Sequence, residues 1–246
     1  MVRAFAIAAI VIALGSVLLL ALFLSGLEPR VSIRTTSAST FDVSALLQNI
    51  GLLALFGLQH SGMARSSFKA KLKSRVPQVP ERNLYVASSG LVTLAIVFFW
   101  RPINTPVWEA SSQIGSWLLW GGYLSGLVIL LAGFVAIDPL ELLGLRQSGW
   151  AKPSQQSFRL SWLHQRVRHP IYTGFLLVFW MTPTMTLGHL LFAVGMSAYI
   201  RVGIFYEEKD LLNRFPEDYL RYKRHVPMLL PQLSAWKPKT KSSDNS

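Results

Sequence analysis

Two pairs of titratable residues flank a long uncharged stretch in the C-terminal half of the chain. Arg168 and His169 lie just before it and Glu207 and Glu208 just after it, while residues 170–200 contain no Asp, Glu, Lys or Arg. A guanidinium group binds a carboxylate or another anion through two parallel hydrogen bonds. Carboxylate and imidazole groups can accept a proton during a reaction. These residues are suited to binding a charged small molecule and to moving a proton, provided that the fold brings the two pairs together.

The length of the uncharged stretch predicts how the two pairs meet. One bilayer crossing needs about 20 apolar residues, so this stretch is too long for one span and too short for two. Thr182 is a typical N-cap and Pro183 a typical first helical residue, which predicts that a new helix begins there. We therefore expect a helical hairpin, with a short arm over residues 170–181 and a return arm over residues 183–206. Both open ends of this hairpin lie on the same side of a membrane.

The two arms differ in length. At about 1.5 Å per helical residue, the return arm extends beyond the short arm. This count places Arg168 level with residues 201–205 instead of with Glu208. Contact with Glu208 then requires that the linker before Arg166 dips, or that the Arg168 side chain reaches along the return arm.

Four further uncharged runs are long enough to span a bilayer, and the chain as a whole is 51% hydrophobic. They are residues 4–27, 43–64, 83–100 and 110–137. The first run exceeds the short core of a secretory signal and no cleavage site follows it, so we interpret it as an anchor. The predicted fold is an all-α polytopic membrane helix bundle, with four full spans, the C-terminal hairpin and an amphipathic cytoplasmic tail.

The domain organisation follows from the same pattern. We expect a single membrane domain over residues 1–236, with the core of the site in residues 166–231 and a disordered tail over residues 237–246. Within the amphipathic cytoplasmic tail, before residue 237, Pro216 is predicted to open a short helix that carries Tyr219 and Tyr222.

The cationic side chains are distributed unevenly between the two ends of the bundle. The segments 65–82 and 138–168 are rich in Lys and Arg, whereas the opposite loops hold only Arg30, Arg34 and Arg101. This asymmetry predicts cytoplasmic termini and a cytoplasmic hairpin mouth, in a bacterial inner membrane. Topology and contact with anionic lipids account for the net charge of +12, so we expect membrane lipids and no nucleic acid as partners.

Metal and thiol chemistry of the protein itself is not expected. The chain has no cysteine, which excludes disulfides, thiolate nucleophiles and Cys-type zinc sites. No group of histidines and carboxylates has the spacing of metal ligands, so we expect no metal.

An ordered set of residues at the C-terminal end resembles the isoprenylcysteine carboxyl methyltransferase superfamily of integral-membrane enzymes. The set is Arg168-His169-Pro170-x-Tyr172-x-Gly174, then Glu207-Glu208, Tyr219-x-x-Tyr222, Val226-Pro227 and Leu230-Pro231. The resemblance implies S-adenosylmethionine as the cofactor. It places Arg168 and Glu208 at the reacting end, and it implies cofactor contacts by the following residues: His169, Pro170, Tyr172, Gly174, Glu207, Tyr219 and Tyr222.

Other parts of the chain resemble a bacterial branch of thiol S-methyltransferases. They are Gln59-His60-Ser61, Glu81-Arg82-x-x-Tyr85, Trp100-Arg101-Pro102 and Phe179-Trp180-x-x-Pro183-Thr184-Met185-Thr186. The branch implies methylation of a small volatile thiol, methanethiol, to dimethyl sulfide, with S-adenosylhomocysteine as the by-product. His60 is the third catalytic candidate, where it lines the pocket; alternatively it caps or anchors its helix end.

Several alternatives remain open from the sequence. Arg168 and Glu208 can instead form an interfacial salt bridge that closes the hairpin mouth. The methyl acceptor can be a prenylcysteine or a phospholipid amine, which needs a lateral opening for a lipid tail. Other readings are a membrane reductase that uses NADPH, although the chain has no Gly-rich phosphate loop, and a non-catalytic membrane protein. Which of Glu207 and Glu208 faces the pocket, and the oligomeric state, are not determined.

Overall fold

The fold is a bundle of helices with one small sheet. The computed structural model describes residues 2–27, 32–34, 42–76, 80–152 and 160–236. The helices are α1 (Val2–Ser25), α2 (Val43–Ala64), α3 (Ser66–Arg75), α4 (Glu81–Phe99), α5 (Gln113–Ala136), α6 (Pro139–Leu142), α7 (Pro170–Trp180), α8 (Leu187–Arg214) and α9 (Pro216–His225). The strands β1 (Pro106–Glu109) and β2 (Thr184–Thr186) pair antiparallel.

Five of the described helices are long and apolar enough to cross a membrane, namely α1, α2, α4, α5 and α8. The protein is therefore a polytopic helical membrane protein, and the predicted fold class is confirmed. The short arm of the hairpin is α7, and the helix that opens at Pro216 is α9. The predicted tail over residues 237–246 lies outside the described residues, and the division into one domain stays a prediction.

The turn of the hairpin differs from the prediction. Thr182 and Pro183 do not begin the return helix; Thr186 is its N-cap, and the Thr186 hydroxyl accepts a hydrogen bond from the His189 backbone at 3.3 Å. The intervening residues of β2 pair with β1, so a contact with a distant part of the chain outweighs the local capping signal. The return helix α8 also continues beyond the apolar stretch to Arg214.

Glycines allow the closest helix contacts. A Cβ at Gly90 of α4 would lie 3.2 Å from the backbone of Ala13 in α1, and a Cβ at Gly126 of α5 would lie 2.9 Å from the Gly174 carbonyl oxygen in α7. Small residues at such crossings let the helix backbones approach closely. The resulting packing contacts stabilise the helix pairs, because lipid provides no hydrophobic driving force for their association.

The turn of the hairpin is covered by the segment between α4 and α5. The indole N–H of Trp108 donates to the Thr182 carbonyl at 3.1 Å, and the backbone N–H of Leu187 donates to the Thr105 carbonyl at 2.8 Å. Thr182 and Met185 are buried. Non-helical backbone at membrane depth must have its polar groups paired within the protein, and these hydrogen bonds do so.

The N-terminus and the hairpin mouth lie at the same end of the bundle, which we call the mouth end. Arg3 donates to the Gly149 carbonyl at 3.4 Å, and its guanidinium lies 5.5 Å from the centre of the Trp150 ring. The segment that holds these residues leads from α6 towards α7. The mouth end therefore carries the basic segments and the candidate site residues.

Candidate active site

The segment that carries Arg168 and His169 is held by the chain that follows α9. The backbone N–H of Arg168 donates to the Pro227 carbonyl at 2.9 Å, and that of His169 donates to the Met228 carbonyl at 3.2 Å. Both residues precede α7, which begins at Pro170. Non-helical backbone covers more distance per residue than a helix does. With this non-helical segment before α7, the Arg168 side chain reaches Glu208, so the contact that the helical rise left conditional is made.

The Glu208 carboxylate is the centre of the site. Its Oε1 accepts a hydrogen bond from Arg168 Nε at 2.9 Å and lies 3.2 Å from His169 Nε2. Its Oε2 lies 2.7 Å from Lys223 Nζ. Only 7% of Glu208 is exposed. A charge buried to this degree needs charged partners, and Glu208 has two cations beside it.

Arg168 also holds the end of α9. Its Nη1 donates to the Lys223 carbonyl at 3.0 Å and to the Val226 carbonyl at 2.7 Å. The guanidinium group thus joins α8, through Glu208, to the last turn of α9. This arrangement is the salt bridge at the hairpin mouth that the sequence left open as an alternative, and it gives Arg168 a positioning role whatever its role in chemistry.

The neighbouring carboxylate, Glu207, has a different environment. The Glu207 side chain is 46% exposed, and its Oε2 lies 3.6 Å from His169 Nδ1. The Tyr172 hydroxyl also lies close enough to Glu207 to interact with it electrostatically, and the centres of the Tyr172 and His169 rings lie 5.6 Å apart. Glu208 therefore faces the interior of the bundle, and Glu207, with His169 and Tyr172, borders an accessible region.

Tyr219 and Tyr222 belong to the small core below α9. Both are buried, together with Val226. The Tyr222 hydroxyl donates to the His164 carbonyl at 2.7 Å, which ties α9 to the segment before the hairpin. Burial, with the Glu208 carboxylate adding to the effect, raises the pKa of Tyr219. The Tyr222 hydroxyl is thus used within the fold, and the cofactor contacts of Tyr219 and Tyr222 stay predictions.

His60 lies in a second polar cluster, between α2, α4 and α8. His60 Nε2 lies 2.5 Å from the Tyr85 hydroxyl and Nδ1 lies 3.1 Å from the Ser89 hydroxyl. The ring stacks on Phe56 at 5.2 Å and meets the edge of Tyr199 at 6.1 Å. Within the described ranges, the contacts of His60 are made with this cluster, and the structure does not bring His60 against the Glu208 carboxylate.

The two clusters are neighbours across α8. Tyr199 belongs to the His60 cluster, and Gly203, one turn further along, faces the Tyr172 hydroxyl at a Cβ distance of 3.8 Å. Glu207 follows one turn after Gly203 on the same helix. One face of α8 therefore connects His60 to Tyr172 and Glu207.

Gly174 packs closely against α5. A Cβ at this position would lie 2.8 Å from the Gly126 carbonyl oxygen and 2.9 Å from the backbone of Leu130. The structure places Gly174 in the packing of α7 on α5, and its cofactor contact stays a prediction. Pro170 is buried as the first residue of α7, where its fixed φ suits a helix start.

Sequence reasoning gave no role to three residues that the structure places in the clusters. Lys223 follows Tyr222 in a basic run that looks solvated, and only the fold shows that it pairs with Glu208. Ser89 and Tyr199 lie within apolar helices without a motif around them. A polar side chain inside an apolar span indicates either a functional site or a polar partner in the fold. The sequence contains this indication for both Ser89 and Tyr199.

The fold and these clusters define a polytopic helical membrane protein with a buried Arg–His–Glu site at one end of the bundle. No family model matches the chain, and no solved structure matches it. Curated relatives are similar to it over most of their length. Methanethiol S-methyltransferase 2 of Bradyrhizobium diazoefficiens is 47% identical over 195 residues, which cover 78% of this chain and 75% of the relative.

A second relative and a more distant one extend the comparison. Methanethiol S-methyltransferase of Pseudomonas sp. is 41% identical over 221 residues, or 85% of this chain and 82% of the relative. Nurim of Sus scrofa is 31% identical over 195 residues, or 74% of this chain and 72% of the relative. The chain belongs to the methanethiol S-methyltransferase family, and the resemblance inferred from its sequence is confirmed.

Proposed function

We propose that this protein transfers a methyl group from S-adenosylmethionine to methanethiol, which gives dimethyl sulfide and S-adenosylhomocysteine. The observation that carries the proposal is membership of a family whose relatives, at 47% and 41% identity over most of the chain, are named for this acceptor. The geometry adds a buried cation–carboxylate cluster next to an accessible carboxylate at the mouth end.

The residues at the mouth end fit the donor chemically. When bound, S-adenosylmethionine supplies a methyl group on a positively charged sulfur. Glu207 presents a half-exposed carboxylate that can bind an ammonium or a ribose hydroxyl group, with the Tyr172 hydroxyl and His169 beside it. In the neighbouring cluster, the Gln59 side-chain oxygen is buried and has no hydrogen-bond partner within the described structure. Such an acceptor is satisfied when a ligand brings a donor.

The reaction requires one bond to form and one to break. The thiol sulfur forms a bond to the methyl carbon, the electron pair of the old carbon–sulfur bond stays on the leaving sulfur, and the thiol proton passes to a base. The thiolate is the reactive form, and the positive Arg168 nearby favours it. His169 can receive the proton at Nδ1 and share it with Glu207 Oε2, 3.6 Å away. The other ring nitrogen of His169, Nε2, is hydrogen-bonded to Glu208 Oε1.

The second cluster provides another base. His60 has one ring nitrogen against the Tyr85 hydroxyl and the other against the Ser89 hydroxyl. A proton delivered to this ring through Tyr85 needs no charged residue in the pathway. We keep His60 as a catalytic candidate on this basis, with Tyr85 as its positioning residue.

The opposite half of the bundle is filled by aromatic side chains, which supports a small acceptor. Phe192 meets Phe23, Trp100 and Phe179 edge-to-face, at ring distances of 6.5, 5.8 and 5.2 Å. Trp180 is fixed by a hydrogen bond of 2.9 Å from its indole N–H to the Ser197 hydroxyl. A prenyl or acyl tail would have to displace these rings, whereas methanethiol would not.

The orientation is part of the same proposal. We place both termini and the mouth end in the cytoplasm of a bacterial inner membrane, because the basic segments collect at that end. A reporter fused at Lys71 should read cytoplasmic and one at Asn104 periplasmic; the opposite readings would reverse the topology. Thr36, a further fusion point on the periplasmic side by sequence, lies outside the described residues.

The acceptor is tested by competition. Purified protein with S-adenosylmethionine is given methanethiol together with longer alkyl thiols, a prenylcysteine and a phosphatidylethanolamine, and each methylated product is measured. The proposal predicts that dimethyl sulfide forms fastest. Preferential methylation of the prenylcysteine or of the lipid amine would contradict it.

A further inference from the structure

A cavity of about 130 Å³ at the mouth end has Tyr85 in one wall but is not lined by Arg168, His169, Glu207 or Glu208. It lies between α2, α3, α4 and the segment that contains α6. One wall is apolar and comes from the end of α2 and from α3, with Met63, Phe68 and Leu72. This wall lies where the α2 span ends and the short helix α3 begins.

The opposite wall is polar and is held rigidly. Arg82 Nε donates to the Leu142 carbonyl at 2.9 Å, and the Arg82 backbone N–H donates to the Gln147 side-chain oxygen at 3.0 Å. The guanidinium lies 5.2 Å from the centre of the Tyr85 ring. Asn83 adds to this attachment, because its side-chain amide donates to the Leu143 carbonyl at 3.0 Å and accepts a hydrogen bond from the Ser148 hydroxyl at 2.6 Å. The cavity is therefore formed before any ligand binds, which lowers the cost of binding.

Charges of both signs line the cavity, and none of them has an ion-pair partner in the described ranges. Lys69 and Arg82 are positive, and Glu81 and Glu141 are negative. None of the four takes part in an ion pair with another residue of the described ranges. Charges of opposite sign that face one cavity but do not pair with each other complement a ligand that carries both charges.

We propose that this cavity binds the headgroup of a phospholipid that carries a primary ammonium group, such as a phosphatidylethanolamine. The ammonium group lies between Glu81 and Glu141, and the phosphate lies between Lys69 and Arg82. The acyl chains leave along the apolar wall into the bilayer. The depth of the cavity, at the end of the α2 span, matches that of lipid headgroups.

The same charges make the lipid a bound ligand and not a methyl acceptor. Two carboxylates beside an amine favour its protonated form. A protonated amine has no lone pair with which to attack a methyl group. The free amino-acid end of S-adenosylmethionine also carries both charges, but it has no apolar chain to occupy the wall formed by α2 and α3.

The test measures lipid retention. Purified protein is equilibrated in mild detergent with equal amounts of phosphatidylethanolamine, phosphatidylcholine and phosphatidylglycerol of matched chains, and bound lipid is read by native mass spectrometry. We expect phosphatidylethanolamine to be retained preferentially, because the other two lack an N–H donor or a cation. Glu81→Gln and Glu141→Gln should each reduce this preference roughly tenfold, the loss expected for one hydrogen bond to a charged group.

A matched pair on α3 serves as the control. Lys69→Met removes a cavity charge, whereas Lys71→Met makes the same change on the exposed face of the helix. Only Lys69→Met should lower lipid retention. Glu81 lies in the first turn of α4, so Glu141→Gln, outside the spans, keeps the test decisive where Glu81→Gln unfolds.

Three results would overturn the proposal. They are equal retention of the three lipids, unchanged retention in Glu141→Gln and Lys69→Met, and displacement of the lipid by S-adenosylmethionine in proportion to its binding. Glu81, Glu141 and Lys69 take no part in methyl transfer to methanethiol in our account, so methyl transfer by these variants is measured separately from lipid retention.

Discussion

Glutamine in place of Glu208 separates the charge of this carboxylate from its shape. The wild-type carboxylate lies against Arg168, His169 and Lys223, all within 3.2 Å. Removal of one partner of a buried ion pair costs about 3–5 kcal/mol, because the other charges stay buried without compensation. Lys223 is 40% exposed and is partly compensated by water, and the amide oxygen still accepts one hydrogen bond. We therefore expect Glu208→Gln to cost about 3 kcal/mol, the lower end of that range.

Thermal unfolding of the purified protein in detergent measures this effect. For a chain of this size, 1 kcal/mol shifts the unfolding midpoint by about 2–4 °C, so the Glu208→Gln midpoint should fall by about 6–12 °C. Glu207→Gln is the matched control, one residue away on the same helix. Glu207 is half-exposed, and an exposed ion pair contributes about 0–1 kcal/mol, so its midpoint should fall by less than about 4 °C.

Binding of S-adenosylmethionine should show the reverse order: it should be weakened more by Glu207→Gln than by Glu208→Gln. Glu207→Gln should weaken S-adenosylmethionine binding while the fold persists, because this carboxylate borders the accessible region. Equal midpoint shifts for the two variants would refute the assignment of Glu208 as the buried centre of the site, as would a larger shift for Glu207→Gln.

Three further predictions concern the packing, the pocket and the pH response. Gly174→Ala should lower the unfolding midpoint, because its Cβ would lie 2.8 Å from the α5 backbone, whereas Gly121→Ala, with nothing within 4 Å, should not. Trp180→Ala removes one of the aromatic side chains that fill the opposite half of the bundle, so it should raise turnover of longer thiols relative to methanethiol, measured as a rate ratio. An unchanged ratio would show that Trp180 does not limit the size of the acceptor. Burial lowers the pKa of His164 although Glu207 opposes this effect, so protonation favours the unfolded chain. Its contribution to stability is present above pH 6.5 and is lost as pH falls through the lowered pKa, and the decline in midpoint should be smaller in His164→Gln.

The membrane-spanning helices could be predicted from the sequence, because a segment that crosses lipid must be long, uncharged and apolar. Each long uncharged run became a span, since an apolar helix satisfies its own backbone in a bilayer. The hairpin turn could not be predicted in this way. Thr182 and Pro183 have the chemistry of a helix start, but β2 pairs with β1, more than 70 residues earlier in the chain. A local capping signal contains no information about such a distant partner.

The candidate site was predictable in part. The motif resemblance singled out Arg168, His169 and Glu208, and the structure brings them into contact. The pattern could not separate Glu208 from Glu207, because their environments depend on how the tail folds under α8. Lys223 illustrates the same limit. Its pairing depends on α9 turning back at Phe215, which no spacing in the sequence encodes.

Transfer of a labelled methyl group tests the central claim most directly. Purified protein is incubated with methanethiol and with S-adenosylmethionine whose transferable methyl group carries ¹³C and deuterium, and the headspace is read by mass spectrometry. Our account predicts dimethyl sulfide that contains one labelled and one unlabelled methyl group, formed in step with S-adenosylhomocysteine and strongly reduced in Glu207→Gln at low donor concentration. Unlabelled dimethyl sulfide, or none from a folded protein that binds the donor, would contradict it.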